Sequence, residues 1–255
     1  MKIDFLGIPV DSHTMLETIS RIDEAIQANE HIKHVVINAG KVVSMMKDKE
    51  LFQNVLSCDI INADGQSIVW AARFLGKKIP GRVAGVDLMQ ELIKLASAKG
   101  YKCFFLGAGK EVLNIVVEKY SREYGPGIIA GYRDGYFSEA EEPEVAREIA
   151  ESGAQILFVA ISSPKKEKFL YKYDDVLRKV NFTMGVGGTF DIIAGITMRA
   201  PKWVQDLGME WFVRLVQEPG RMWKRYLVGN TMFIYLVIRE RIRGKNRTNY
   251  FPKQT

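Results

Sequence analysis

Two patterns of apolar spacing alternate along this chain. Short runs such as QILFVAI (155–161) are apolar at successive positions, whereas longer stretches between them repeat their apolar residues at helical period. Runs apolar on both faces suit parallel strands covered by helices, and the longer stretches suit the covering helices. The pattern predicts strands over 2–10, 34–39, 58–63, 102–106, 127–132, 155–161 and 182–186. Helices are predicted over 15–28, 66–75, 86–99, 110–124, 141–151 and 165–180. This β–α order implies an α/β protein with a doubly wound, mostly parallel sheet. Beyond about residue 200 the strand signal stops and the chain reads as helices.

Ligands of such sheets bind outside the carboxyl ends of the strands. Five predicted strands end there in small or polar residues: Asn38, Asp64, Gly107 with Gly109, the run from Ser162 to Glu167, and Gly187 with Gly188 and Asp191. Asp64 follows an apolar strand and precedes Gly65 and a helix, so its carboxylate can face a cleft and take a proton from a hydroxyl. An ordinary Asp-Gly turn is the alternative. Lys165 or Lys166 can meet an anion at a helix start, where capping is the alternative. The glycine-rich turns can hold a diphosphate through backbone N–H groups without a metal.

Charge adds location to this picture. Residues 199–255 hold 12 Lys and Arg against 4 Asp and Glu, a net of +8, while residues 1–198 hold 24 against 26. The basic segment interleaves Arg214, Arg221, Lys224 and Arg225 with Trp211, Phe212, Trp223 and Tyr226. Cations among aromatic and aliphatic side chains suit a surface that is both anionic and greasy, and favour lipid over nucleic acid. The apolar run 227–238 falls short of the about 20 residues that a spanning helix needs, so it is expected to lie on a bilayer, on a partner or on the core. The chain accordingly divides into a body, 1–198, and a helical, basic-amphipathic appendage, 199–255.

Several classes lack their signatures. There is no Asp-x-Asp, P-loop or G-x-S-x-G, and His13, His31 and His34 do not have a metal-ligand spacing. FLGAGKEV begins like a dinucleotide fingerprint, but Val112 replaces the third glycine, which disfavours a nucleotide-binding oxidoreductase. Cys58 and Cys103 sit in apolar runs and read as buried free thiols of a reducing compartment. The first residues, MKIDFLGIPVDS, show no signal-peptide core.

The motifs IINADGQSIVWAARFLG, GRVAGVDLM, GYRDGYF, VAISSPKKEKF, GVGGTFDIIAG and RAPKWVQDLGMEWFVRLVQEPGRMWKRYL occur in this order. Together they resemble the WecG/TagA/CpsF glycosyltransferases over roughly residues 1–240. The resemblance implies a Rossmann-like core, self-association through that core, and an appendage that completes the site at the membrane. It implies a metal-independent, inverting transfer of a sugar from a UDP donor to an undecaprenyl-diphosphate-linked saccharide at the cytoplasmic membrane face. By motif position, Asp64 matches the proposed base, Asn38 a polar cleft residue and Arg82 a site arginine. Arg214, Arg221 and Arg225 match the stretch proposed to clamp a diphosphate.

Two departures bear on the donor. Val36-Ile37-Asn38 stands where members using UDP-N-acetylmannosamine have Thr-x-Asn, and Lys166 stands where the family has Gln. The apolar-Ile-Asn-Ala form and GVGGTFD resemble the enterobacterial-common-antigen branch more closely, which implies a UDP-uronate donor, and Lys166 can then pair with a sugar carboxylate. N-acetylmannosamine transfer in teichoic-acid linkage synthesis and a non-enzymatic lipid-binding adaptor are the other readings.

Overall fold

A computed structural model describes residues 1–243, apart from the side chains at 221, 222, 224 and 225. The chain opens with an antiparallel hairpin, β1 (Lys2–Phe5) and β2 (Ile8–Asp11), followed by α1 (Met15–Gln27) and β3 (Ile32–Ile37). Two short helices, α2 (Ala39–Lys47) and α3 (Lys49–Leu56), lead to β4 (Ile60–Ala63), α4 (Gln66–Phe74) and α5 (Gly85–Lys99). Then come β5 (Cys103–Gly107), α6 (Lys110–Tyr124), β6 (Ile129–Arg133), α7 (Glu142–Glu151) and β7 (Ile156–Ala160). The body closes with α8 (Lys165–Lys172), α9 (Asp174–Leu177), β8 (Phe182–Gly185) and α10 (Thr189–Ile193). Helices α11 (Lys202–Asp206), α12 (Glu210–Gln217) and α13 (Pro219–Arg243) follow.

Strands β3 to β8 form one six-stranded sheet in the order β4-β3-β8-β7-β5-β6, with every pairing parallel. The architecture is thus the α/β, Rossmann-like one that the sequence predicts. Alternate residues sort the two faces. Cys103, Phe105, Ile156, Phe158, Phe182 and Met184 pack under α1, α5, α6 and α10. Phe104, Leu106, Leu157 and Val159 pack under α7, α8 and α9. Strands buried on both sides need the continuous apolar runs seen in the sequence.

Three expectations change. The run 2–10 is not a strand of the main sheet: it turns at Leu6 and Gly7, with φ of 54° and 87°, and forms the separate hairpin. The helix expected over 165–180 breaks at Tyr173 into α8 and α9. Residues 39–56, left unassigned by the sequence pattern, form α2 and α3, whose starts are capped by the side chains of Asn38 and Asp48.

Helix α13 both covers the core and faces outward. Phe233, Leu236 and Val237 are buried in the same cluster as Val42, Val43 and Phe5, against α2 and the hairpin. Leu227, Val228, Ile234, Tyr235 and Ile238 lie on its exposed side. Among the described residues, no helix is long and apolar enough to cross a membrane.

Candidate active site

All six strands end on one edge of the sheet, which collects the predicted site residues in spatial order. Asp64 follows β4, Asn38 follows β3, and Gly187, Gly188 and Asp191 follow β8. Ser162 to Glu167 follow β7, while Gly107 and Gly109 follow β5. Four strand spacings separate β4 from β5, so Asp64 and the Gly107 turn stand about 19 Å apart along the rim. The set makes an extended groove rather than one compact pocket.

At the β5 end, the chain leaves β5 toward β6 but leaves β7 toward β8, which opens a crevice between them. Gly107 has φ +123°, and a Cβ there would lie 2.5 Å from the Ala160 carbonyl carbon. Only glycine permits that crossing. Gly109 then starts α6 without a side-chain cap, leaving backbone N–H groups at the mouth. The exposed Tyr136 stands beside Gly109, its ring 3.7 Å from where a Cβ would be. Sequence reading passed over Tyr136, although the GYRDGYF motif contains it.

At the β4 end, Asp64 is anchored by its N–H to the Ile37 carbonyl at 2.9 Å, and its Oδ1 accepts the Gly85 N–H at 3.2 Å. A Cβ on Gly65 would lie 3.6 Å from the Asn38 Cβ, so Asn38 and the Asp64 turn pack together. Asn38 Oδ1 accepts the Lys41 N–H and thereby caps α2. Burial holds the Asp64 carboxyl above its ordinary range and the nearby Glu210 charge adds to the rise; Arg214, the Gly85 N–H and Arg82 pull the other way. A carboxylate with raised basicity on a rim is suited to accept a proton.

Arg82 comes from the loop before α5. Its Nη1 donates to Glu210 Oε2 at 3.1 Å and its Nη2 donates to Gln205 Oε1. Gln205 Oε1 also accepts Arg199 Nη2 at 3.1 Å, and Arg199 makes a two-point pair with Asp87 at 2.5 and 2.7 Å. Arg214 Nη2 lies 3.6 Å from Glu210 Oε1. Residues 199–214 thus meet the sheet edge through a run of paired charges, bringing Asp64, Arg82 and Arg214 together. Gln205 and Glu210 were not among the residues singled out from the sequence; the signal available was the four-residue step from Glu210 to Arg214, which a helix places on one face. Arg221, Lys224 and Arg225 belong to α13, but their side chains lie outside the described residues.

Lys166 and Glu167 make a second cluster. Both are buried; Glu167 Oε1 lies 2.7 Å from Lys41 Nζ and 3.2 Å from Lys166 Nζ. Burial pushes the Glu167 carboxyl up, but Lys41 and Lys166 outweigh it and hold the group down to about 2. The Lys166 stem lies across Gly185, where a Cβ would come within 2.7 Å of its Cε. Gly185 therefore serves lysine packing. Lys165 turns away and donates to the Phe137 carbonyl at 3.0 Å. A small cavity of about 20 Å³ between α3, α8 and β3, lined by Asn54, Tyr171, Lys166 and Glu167, lies beside this cluster and not at Asp64.

The rim geometry can be set against known proteins. The family model described as "Glycosyl transferase WecG/TagA/CpsF family" matches residues 3–247. The chain belongs to the WecG/TagA/CpsF glycosyltransferase family. A Bacillus subtilis (strain 168) relative, N-acetylglucosaminyldiphosphoundecaprenol N-acetyl-beta-D-mannosaminyltransferase, is 36% identical over 217 residues, covering 85% of this chain and 82% of its own. A Bacillus spizizenii (strain ATCC 23059 / NRRL B-14472 / W23) protein of the same description is 38% identical over 172 residues, covering 67% and 65%. As a WecG/TagA/CpsF member the chain is a glycosyltransferase, and more narrowly a hexosyltransferase.

Proposed function

We propose that this hexosyltransferase moves N-acetylmannosamine from UDP to a saccharide carried on undecaprenyl diphosphate, in cell-surface polysaccharide synthesis. The observation that carries the reading is the meeting of Asp64, Arg82 and Arg214 at the sheet edge, with Asp64 held more basic than an ordinary aspartate. Asp64 takes the proton of the acceptor hydroxyl as that oxygen attacks the anomeric carbon, and UDP leaves from the opposite face with inversion. Charge builds on the leaving diphosphate, where arginines and rim N–H groups stabilise it. No metal is required in this scheme. Tyr136, toward the far end of the groove, offers the donor's uracil ring a stacking face.

The donor assignment leans on the relatives' described activity and on Lys166. That lysine is paired with Glu167, so a sugar carboxylate would have to compete with a buried ion pair. A neutral N-acetylhexosamine meets no such conflict, and the uronate is the second choice.

The division into a catalytic body, 1–198, and an appendage, 199–255, belongs to the same proposal, as does self-association. The exposed Trp203, Leu207, Phe212, Trp223, Leu227 and Ile234, among the cations of residues 199–255, fit an appendage that rests on the cytoplasmic face of the membrane. Docking there would present Arg214 to the lipid diphosphate.

The experiment is UDP release with mass detection of product. The panel holds UDP-N-acetylmannosamine, its uronate, UDP-glucose and UDP-glucuronate, with a synthetic polyprenyl-diphosphate saccharide as acceptor. Acceptor-dependent turnover of UDP-N-acetylmannosamine is expected. Turnover of the uronate alone overturns the donor, and absence of UDP binding overturns the whole reading.

A further inference from the structure

Arg82 and Arg214 reach the rim from different parts of the chain, a core loop and helix α12, and a single carboxylate joins them. Glu210 lies in the first turn of α12, with one oxygen 3.1 Å from Arg82 Nη1 and the other 3.6 Å from Arg214 Nη2. The Glu210 side chain is 24% exposed and that of Arg82 13%, so the contact is sheltered from the screening that weakens surface pairs. Asp87 and Arg199 neutralise each other through their two-point pair, and Gln205 links Arg199 to Arg82. Two guanidiniums then face two carboxylates, Glu210 and Asp64. Among the described side chains the cluster is balanced without any substrate charge.

A diphosphate brings more negative charge to the same two arginines. It competes with Glu210 for the positive charge of these arginines, and it meets Glu210 as a like charge while doing so. We propose that Glu210 is a positioning residue that holds Arg82 and Arg214 in register and competes with the substrate diphosphate for them. It does not touch the reacting atoms. Its role is to keep two arginines from different segments in one place, at the expense of affinity for the anion they serve. The inference rests on the reading of the rim as a sugar-diphosphate site and adds the group that sets how tightly the diphosphate is held. It also links anion binding to the base, because the Glu210 charge is felt at Asp64.

Glu210→Gln keeps the shape and one acceptor oxygen but removes the charge. Calorimetric titration of full-length wild type and variant with UDP, and separately with farnesyl diphosphate, tests the competition. The variant is expected to bind the competing diphosphate about fivefold more tightly, the effect of relieving one partly exposed charge. Tightening for UDP assigns the contest to the donor; tightening for the prenyl diphosphate assigns it to the acceptor. A residue that merely braces α12 predicts weaker or unchanged binding of both in Glu210→Gln, and that result overturns the proposal. The acid limb of kcat/KM gives a second readout. Without its anionic neighbour Asp64 ionises more readily, so the limb moves to lower pH in Glu210→Gln, whereas Glu210→Asp, which disturbs the bracing but keeps the charge, leaves it in place. A wild-type protein that binds neither diphosphate fails the sugar-diphosphate reading and this inference with it. Wild-type binding without tightening in the variant fails the inference alone.

Discussion

Glu167 and Asp64 both lie near the carboxyl edge of the same sheet, and burial opposes ionisation of both, yet their surroundings drive them in opposite directions. Glu167 has two lysines within 3.2 Å and stays ionised down to about 2. Asp64 has Glu210 as the strongest charge acting on it, and its carboxyl is raised. One arrangement fixes a charge, and the other leaves a proton easy to gain and lose. The first kind of site holds helices α2 and α8 to the sheet; the second can do acid–base chemistry.

The largest effect expected from breaking this contrast is on turnover. Asp64→Asn should lower kcat by about 10³-fold, within the range for loss of a general base, while UDP binding by titration is nearly unchanged. Equal losses in both would make Asp64 structural. The same substitution removes a carboxyl that folding holds partly against ionisation. Sign follows from the raised value: protonation favours the fold, so ionisation at neutral pH disfavours it. The Asn variant is therefore expected to melt slightly above wild type at pH 7.

Glu167→Gln should do the reverse. Its depressed value means that its contribution is full above the ordinary carboxylate range and fades as pH falls toward about 2. The substitution removes the carboxylate charge that two buried lysines share, a loss of about 3 kcal/mol. For a chain of this size that is a fall of about 6–12 °C in melting temperature at pH 7. A melting temperature unchanged from wild type would remove the structural role assigned to this cluster.

Gly185→Ala probes the same cluster more gently. The added methyl meets the Lys166 stem, with an expected cost of about 1–2 kcal/mol in denaturant unfolding. The smallest expected effect is at the far end of the rim. Tyr136→Ala removes an exposed ring and should weaken UDP binding by about 1 kcal/mol without moving the melting temperature.

The contrast between the clusters was only half legible in the sequence. Strand and helix order followed from apolar spacing, because buried parallel strands leave no polar face to confuse it. Asp64 stood out because it ends an apolar run. Glu167 and Lys166 looked like helix-start residues facing a ligand, since nothing local shows that Lys41, 126 residues away, completes an ion cluster. The Leu6 turn was hidden because leucine rarely takes a positive φ. Gln205 and Glu210 were missed for the same reason as Lys41: their partner, Arg82, is more than 120 residues away. Long-range charge pairing leaves no periodic trace.

The burial of Phe233, Leu236 and Val237 against Val42, Val43 and Phe5 has a consequence for synthesis. Helix α13 is translated after everything it covers, so the nascent chain must wait with α2 and the hairpin uncovered until α13 emerges. Until then the greasy face of α2 is a target for chaperones, and chain interruption just past the sheet leaves a product that is prone to aggregate. Maturation of the fold and arrival of the basic segment are thus a single event in time.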